Sequence, residues 1–256
     1  MKKRILTEVL NNVEISAQIH KIELARSSEF GEIFPGQFLH IKCMEEGMLL
    51  RRPISISYTS DKIIGVVIRK VGRGTELLCD SKVGQRWDVL GPLGNGFTVD
   101  EEHRKIMIIG GGIGSAPLLE LAKEIRNRDV LVLLGYREKG LLEKEFEQYA
   151  PTMVATEDGS LGHKGLITEL AQGEIERFKP DVIYACGPHP MLKWVQKVCK
   201  DLRIPSQLSI EERMACGVGA CLVCACKLAR EKDGYNYVKA CKDGPVFRGD
   251  EVILDE

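Results

Sequence analysis

The chain has 256 residues, with 36 Lys+Arg against 37 Asp+Glu and a formal net charge of −1. That balance gives no general electrostatic pull toward nucleic acid or an anionic membrane, and no apolar run approaches the ~20 residues that cross a bilayer. The length suits two domains with a small third one, and nine cysteines behind a start that lacks a signal-peptide core predict a reducing compartment, the cytoplasm.

Residues 1–100 read as strands. VEISAQIHKIELA, QFLHIKC, ISISYT and KIIGVVIRKV are short, rich in β-branched residues and separated by the turn formers PGQ, SDK and GPLGNG, which predicts a small antiparallel barrel. Residues 101–207 change character. KIMIIGGG, DVLVLLGY, PTMVATED and DVIYACGP are buried-strand patterns, and SAPLLELAKEIRNR has helical apolar spacing. Strands alternating with helices predict a parallel α/β sheet. Residues 208–256 are glycine- and cysteine-rich and too few for a core of their own, so a metal centre would supply stability that burial cannot. The expected fold class is therefore multidomain, β then α/β then a small metal-binding unit.

Chemistry concentrates in that last unit. Cys216, Cys221 and Cys224, followed by Cys241, follow the C-x4-C-x2-C…C spacing by which four thiolates hold a plant-type [2Fe–2S] cluster. Gly217 and Gly219 let the loop curl so that backbone N–H groups approach the sulfurs. A structural zinc site more often shows two well-separated C-x-x-C pairs; a colourless zinc knuckle in a nucleotide-binding regulator is the rival from another class. Cys226 is a fifth thiol, either spare or a substitute ligand. Cys43, Cys79, Cys186 and Cys199 are scattered, as small buried apolar residues are.

Three further motifs carry a bland reading beside the functional one. In RRPISIS (51–57) an arginine at a strand can grip a phosphate bidentately, or simply be solvated. In VGRGTELL, Gly72 and Gly74 turn the backbone and Thr75 caps a short helix, ELLCD, whose first N–H groups suit an anion; the alternative is an ordinary capped turn. In IIGGGIGSAP, Gly110, Gly111, Gly112 and Gly114 join strand to helix as a dinucleotide pyrophosphate requires. Ser115 stands where the third glycine of G-x-G-x-x-G would fall, Pro117 follows, and close packing alone is the alternative. In ACGPHPM, Cys186 ends a strand at the carboxyl edge of the sheet, where open α/β folds place their ligands. His189 reads as a surface turn histidine.

R-x-x-S, G-x-G-T, GGGIGSAP and CGPHPM, in this order and over essentially the whole chain, resemble the ferredoxin–NADP reductase superfamily. RRPISI and EERMACGVGACLVCACK most resemble, within it, the electron-transfer subunits of NAD-dependent (class 1B) dihydroorotate dehydrogenases. The resemblance implies a flavin-binding β-barrel domain at 1–100, an NAD-binding α/β domain at 101–207 and a [2Fe–2S] domain at 208–256. It implies that Arg52 pairs with the FAD pyrophosphate, that Pro53, Ile54 and Ser55 lie along the isoalloxazine, and that Ile68, Arg69 and Lys70 contact the flavin. Gly74 and Thr75 would cradle its phosphates, Gly111, Gly112 and Gly114 would lie under the nicotinamide nucleotide, and Cys186 would sit at the nicotinamide as a catalytic residue. Ile54 departs from the superfamily, many of whose members carry a stacking tyrosine there. The implied partner is an FMN-containing dihydroorotate dehydrogenase catalytic subunit in a heterotetramer of two of each, with the substrate-oxidising site on that partner. NAD rather than NADP comes from the resemblance alone, because Arg137 could bind a 2′-phosphate and Glu138 would oppose one. Flavin–cluster subunits of hydrogenase, sulfide-linked or ferredoxin:NAD(P) oxidoreductase complexes share the scaffold.

Overall fold

A computed structural model describes residues 4–229 and 234–254. Six strands close an antiparallel barrel: β1 (Arg4–Ser16), β2 (Ile19–Ala25), β3 (Phe38–Ile41), β4 (Arg52–Thr59), β5 (Ile63–Arg69) and β6 (Arg86–Leu93), in the order β1-β2-β5-β4-β3-β6. Alternate residues point inward, as the period of a strand requires, and Ile22, Leu39, Ile56, Val66, Trp87 and Val89 fill the interior. Helix α1 (Arg73–Cys79) adds Leu78 and Cys79 to that core. Two features differ from the strand pattern read above. VEISAQIHKIELA is not one strand but the bend of a hairpin, with Gln18 at φ 62° between β1 and β2. The barrel also needs β1 and β6 to close, and their outward polar residues (Glu8, Arg86) obscure the apolar signal.

The second unit is a seven-stranded sheet. Strands β7 (Lys105–Gly111), β8 (Asp129–Tyr136), β9 (Thr152–Thr156), β10 (His163–Lys164), β11 (Val182–Cys186) and β12 (Ser206–Ser209) run parallel in the order β10-β9-β8-β7-β11-β12. Helices α2 (Leu119–Glu124) and α3 (Glu143–Glu147) cover one face, packing on Ile106, Ile108 and Val132; α4 (Ile167–Phe178) and α5 (His189–Leu202) cover the other, packing on Met107, Ile109 and Ile183. The chain leaves β7 toward β8 on one side and meets β11 on the other, so the carboxyl ends of β7 and β11 flank the switch point at which such sheets bind ligands. The helix expected over SAPLLELAKEIRNR is shorter than its spacing suggests. Residues Gly112–Leu118 form a 3₁₀ segment containing Pro117, which has no N–H to give an α-turn, and the α-helix proper is six residues long.

The last segment forms β13 (Ala225–Ala229), β14 (Tyr235–Lys239), α6 (Ala240–Asp243), β15 (Val246–Arg248) and β16 (Val252–Ile253). β14, β13 and β16 make a three-stranded sheet, whereas β15 pairs antiparallel with β12 at the edge of the large sheet. The division at 207/208 thus falls inside β12. The segment has no separate core: Cys224, Ala240, Cys241 and Val252 are buried in the same apolar cluster as Leu192 and Val195 of α5.

Candidate functional site

Along β4 the alternation of buried and exposed residues fails. Arg52, Pro53, Ile54 and Ser55 are all half-buried, while their ladder partners on β3, Phe38–Ile41, are fully buried. A run of four half-open residues on a barrel strand marks a groove over both faces of that stretch. Arg52 lies at its end, with Nη1 donating to the Leu50 carbonyl at 2.7 Å, and no carboxylate among the described residues pairs with it. Gly74 faces it: a Cβ built there would fall 2.3 Å from Arg52 Nε and 2.7 Å from Cζ. An arginine set against bare backbone is the arrangement that grips a pyrophosphate. Thr75 stabilises this turn: its Oγ1 accepts from Val71 N–H at 2.9 Å and Gly72 N–H at 3.2 Å and donates to the Gly72 carbonyl at 2.9 Å. Of the three residues expected at the end of β5, Ile68 points into the barrel core (1% exposed), Lys70 pairs with Asp80 at 2.8 Å, and only the Arg69 side chain reaches the neighbouring site.

That neighbour is the glycine turn after β7. A Cβ on Gly112, which sits at φ 56°, would lie 3.8 Å from Arg69 Nη2. Gly114 is 2.6 Å, on the same construction, from the Cα of Gly187, and Gly111 is 2.6 Å from Pro188 Cδ. The ends of β7 and β11 are thus in backbone contact, and any side chain there would block the crevice. Cys186 ends β11 opposite Gly110. Burial pushes its thiol up to about 12, against a hydrogen bond with Ser209, so it stays neutral and can pack against a ring but not act as a thiolate. Arg137 and Glu138 are both exposed just beyond β8.

The cysteine loop meets the barrel from the opposite side. Gly217 (φ 69°) and Gly219 (φ 81°) adopt the left-handed turn that curls the cysteine loop; among the described residues no three metal-ligating side chains are gathered at one point, and the four thiols stand less tightly grouped than that. They fall into two pairs. Cys216 and Cys221 Sγ atoms are 3.4 Å apart, and the Cys241 thiol neighbours that of Cys224, burial first and then that neighbour pushing it up to about 12. Two pairs of thiolates would suit the donor set of a two-iron cluster. Backbone donors are already aimed at the sulfurs, Gly219 N–H to Cys241 Sγ at 3.2 Å and Cys221 N–H to Cys216 Sγ at 3.4 Å. For Cys216, burial opposes ionisation, but N–H groups of Cys221, Val218 and Ala220 outweigh it and bring the thiol down to about 6. Cys226 stands apart. It lies on β13 in register with Val238, its thiol 3.9 Å from that residue's carbonyl, and burial pushes it up to about 12.

Two groups of residues here were not singled out in the sequence. His40 on β3 is fully buried beneath Gly217. Burial first, then the charge of Arg51, lowers it to about 4, although the carbonyls of Arg51 and Cys216 favour its protonated form; the imidazole is neutral. A lone histidine inside the apolar run QFLHI was the available signal. Glu120 of α2 holds the other end of β4: Thr59 N–H donates to it at 2.6 Å and Thr59 Oγ1 at 2.9 Å, while Lys123 Nζ reaches the Thr59 carbonyl at 2.5 Å. Nothing local in the sequence announces a contact across 61 residues.

A closed barrel with an arginine set against bare glycine backbone, joined to a doubly wound sheet with a glycine crevice, defines a flavoprotein reductase of the ferredoxin–NADP reductase type. The fold superposes on the NADH-dependent reduced ferredoxin–NADP oxidoreductase described for flavin-based electron bifurcation, with a TM-score of 0.86, 30% identity, and coverage of 99% of this chain and 92% of that one. It shares the fold, at 18% identity and a TM-score of 0.65, with a Neisseria gonorrhoeae ferredoxin NADP+ reductase solved with FAD and NADP, covering 78% of this chain and 91% of that one. Residues 211–253 match the iron-sulfur cluster binding domain of dihydroorotate dehydrogenase B. The chain is 38% identical over 254 residues to the dihydroorotate dehydrogenase B (NAD(+)) electron transfer subunit of Caldanaerobacter subterraneus subsp. tengcongensis, covering 99% of this chain and all of that protein. It is 40% identical to the subunit of the same description from Clostridium acetobutylicum, covering all of both. The chain belongs to the family of dihydroorotate dehydrogenase B electron transfer subunits.

Proposed function

We propose that this chain connects a dihydroorotate-oxidising, FMN-bearing catalytic subunit to NAD+, holding a [2Fe–2S] cluster with Cys216, Cys221, Cys224 and Cys241 and FAD in the β4 groove. Bound there, a flavin can exchange a hydride with nicotinamide and single electrons with an iron–sulfur cluster, so the two together interconvert two-electron and one-electron chemistry. Arg52 neutralises the pyrophosphate, Gly74 leaves it room, and Pro53, Ile54 and Ser55 line the ring; Ile54 packs where a tyrosine would stack. Gly111, Gly112 and Gly114 let a dinucleotide lie against backbone, and the neutral Cys186 thiol closes the crevice around the nicotinamide. Residues 1–100, 101–207 and 208–256 carry flavin, nucleotide and cluster in turn, with β15 lent to the nucleotide sheet.

The observation that carries this reading is the contact of all three sites through the barrel: Gly217 rests on β3, β3 pairs with the groove strand β4, and the end of β5 touches the glycine turn. Val218, Leu222 and Val223 are 40%, 71% and 52% exposed around the cysteines, which suits docking of a partner at the cluster; a heterotetramer of two of each follows the family resemblance. Nine thiols in one chain fit a reducing compartment, and we place the protein in the cytoplasm. The test is reconstitution with the catalytic subunit, following NADH formed from dihydroorotate. NADH should appear only with both chains present. Cys221→Ser should keep NADH-driven flavin reduction and cut the coupled reaction at least a hundredfold. An unchanged coupled rate in that variant would take the cysteines off the electron path.

A further inference from the structure

We propose that His40 is a positioning residue for electron exchange between the cysteine loop and the flavin groove, with its ring N–H serving as a donor to the cluster-bearing loop. This rests on the function proposed above and adds to it a residue outside the four thiols and the groove itself.

The geometry is that of a strut. His40 is 0% exposed, and its ring fills the space where a side chain on Gly217 would begin: a Cβ there would lie 2.3 Å from His40 Nδ1 and 2.9 Å from Cε1 and Cγ. The residue next to the first cysteine must be glycine for the imidazole to fit. On the other side, His40 is the ladder partner of Pro53, in the middle of the groove strand. Its backbone is held as well. Arg51 Nη1 donates to the His40 carbonyl at 3.2 Å and to the Asp88 carbonyl at 2.8 Å, and Arg51 Nη2 donates to Asp88 Oδ1 at 2.7 Å. Arg4 Nε reaches the other oxygen of that carboxylate at 2.8 Å. The histidine therefore cannot shift without disturbing β3, β4 and β6 together.

The chemistry singles out this ring. Neither nitrogen makes a hydrogen bond of normal geometry within the described residues, and a buried imidazole with no partner is costlier than a leucine of the same size. Packing does not explain it. The groups within reach are the carbonyls of Arg51 and Cys216, the Gly217 turn and whatever those cysteines hold, and N–H donors beside cluster sulfurs raise the reduction potential. The route from Cys216 through the packing contact at Gly217, across His40 and its ladder to Pro53, is also continuous packed matter, through which electrons tunnel better than across a gap.

The test uses the whole chain loaded with FAD and cluster, as wild type, His40→Leu and His40→Gln. Two quantities are read: the midpoint potential of the cluster by redox titration followed by electron paramagnetic resonance, and the rates of flavin and cluster reduction after mixing with NADH. His40→Leu should lower the cluster potential by about 59 mV, a tenfold shift of a one-electron equilibrium. It should also slow cluster reduction about tenfold while leaving NADH-to-flavin reduction unchanged. His40→Gln keeps an N–H donor and should recover most of both. If His40→Leu loses its cluster, a His40→Gln chain that keeps the cluster near the wild-type potential supports the proposal, and loss from both variants overturns it by making His40 a mere prop for the loop. A His40→Leu chain with unchanged potential and rates also overturns it, and leaves the function untouched. A wild-type chain that takes up no cluster overturns the function and this proposal together.

Discussion

Arg52 and Gly74 form a pair in which the smaller residue exists for the larger. Gly74 does not sit in left-handed backbone, so replacing it strains no dihedral; the obstacle is Arg52 Nε, 2.3 Å from the new Cβ. A guanidinium can swing away at little cost to folding, but then it no longer faces the Gly74 backbone, where the proposed function puts the phosphates. A charge-assisted hydrogen bond contributes about 1.5–3 kcal/mol, so Gly74→Ala should weaken FAD binding roughly ten- to a hundredfold with little change in melting temperature. Titration of the flavin-free chain with FAD, followed by fluorescence quenching, checks this; unaltered affinity would mean that the arginine is not the phosphate grip. Cys226 poses the opposite question, since its spacing alone left it open as a ligand. On β13 it faces a carbonyl rather than the other thiols. Cys226→Ala should therefore cost about 1 kcal/mol of packing, as typical single substitutions do, and leave two irons per chain by elemental analysis. Cys224→Ala should lose them.

At the scale of elements, the groove strand and the nucleotide helix are locked together at Thr59, Glu120 and Lys123. The carboxylate accepts both the backbone and the side chain of Thr59, and Lys123 closes the ring on the carbonyl. Glu120 is 13% exposed, so water cannot replace what is lost. The lock fixes β4, which carries Arg52–Ser55, against the 3₁₀ turn that carries Gly112 and Gly114, and hydride transfer depends on that spacing. Glu120→Ala should slow NADH-driven flavin reduction about tenfold in stopped flow, equivalent to ~1.4 kcal/mol of barrier, with FAD and iron contents unchanged. An unaltered rate would make the lock a matter of stability only. The sequence makes the parallel strands legible, because β7, β8 and β11 are buried on both faces and read as unbroken apolar runs. It makes the iron–sulfur domain legible, because the cysteine spacing falls within the matched residues 211–253. The closing strands β1 and β6 are hidden by their solvent-facing polar residues, and His40 and Glu120 gain their meaning from partners 177 and 61 residues away, where no local pattern reaches.

For the whole molecule, the question is what holds the cysteine segment. A segment too small for a core invites the view that metal folds it, as in a zinc finger. The fold argues otherwise. β15 completes the nucleotide sheet, Ile210 N–H donates to the Pro245 carbonyl at 3.0 Å, and Gln196 Nε2 on α5 holds the carbonyls of Gly249 and Val252, each at 2.6 Å. The barrel joins in: Asn95 N–H donates to the Gly244 carbonyl at 2.5 Å and its side chain to the Asp243 carbonyl at 3.0 Å. The turn 216–224 is tied to the rest of the segment by isolated bonds: Lys239 Nζ donates to the Gly219 carbonyl at 2.7 Å, Ala240 N–H to the Cys224 carbonyl at 2.9 Å and Gly219 N–H to Cys241 Sγ at 3.2 Å. Removing the iron with a chelator under reducing, anaerobic conditions should therefore leave FAD bound and reducible by NADH, and abolish transfer to a one-electron acceptor that draws on the cluster. By hydrogen exchange, amides of 216–224 should lose protection while those of Val246–Arg248 keep theirs. Loss of protection at β15, together with release of FAD, would mean that the metal organises the whole molecule; protection confined to β15 and its neighbours would mean that burial builds the frame and the metal orders only the loop that binds it.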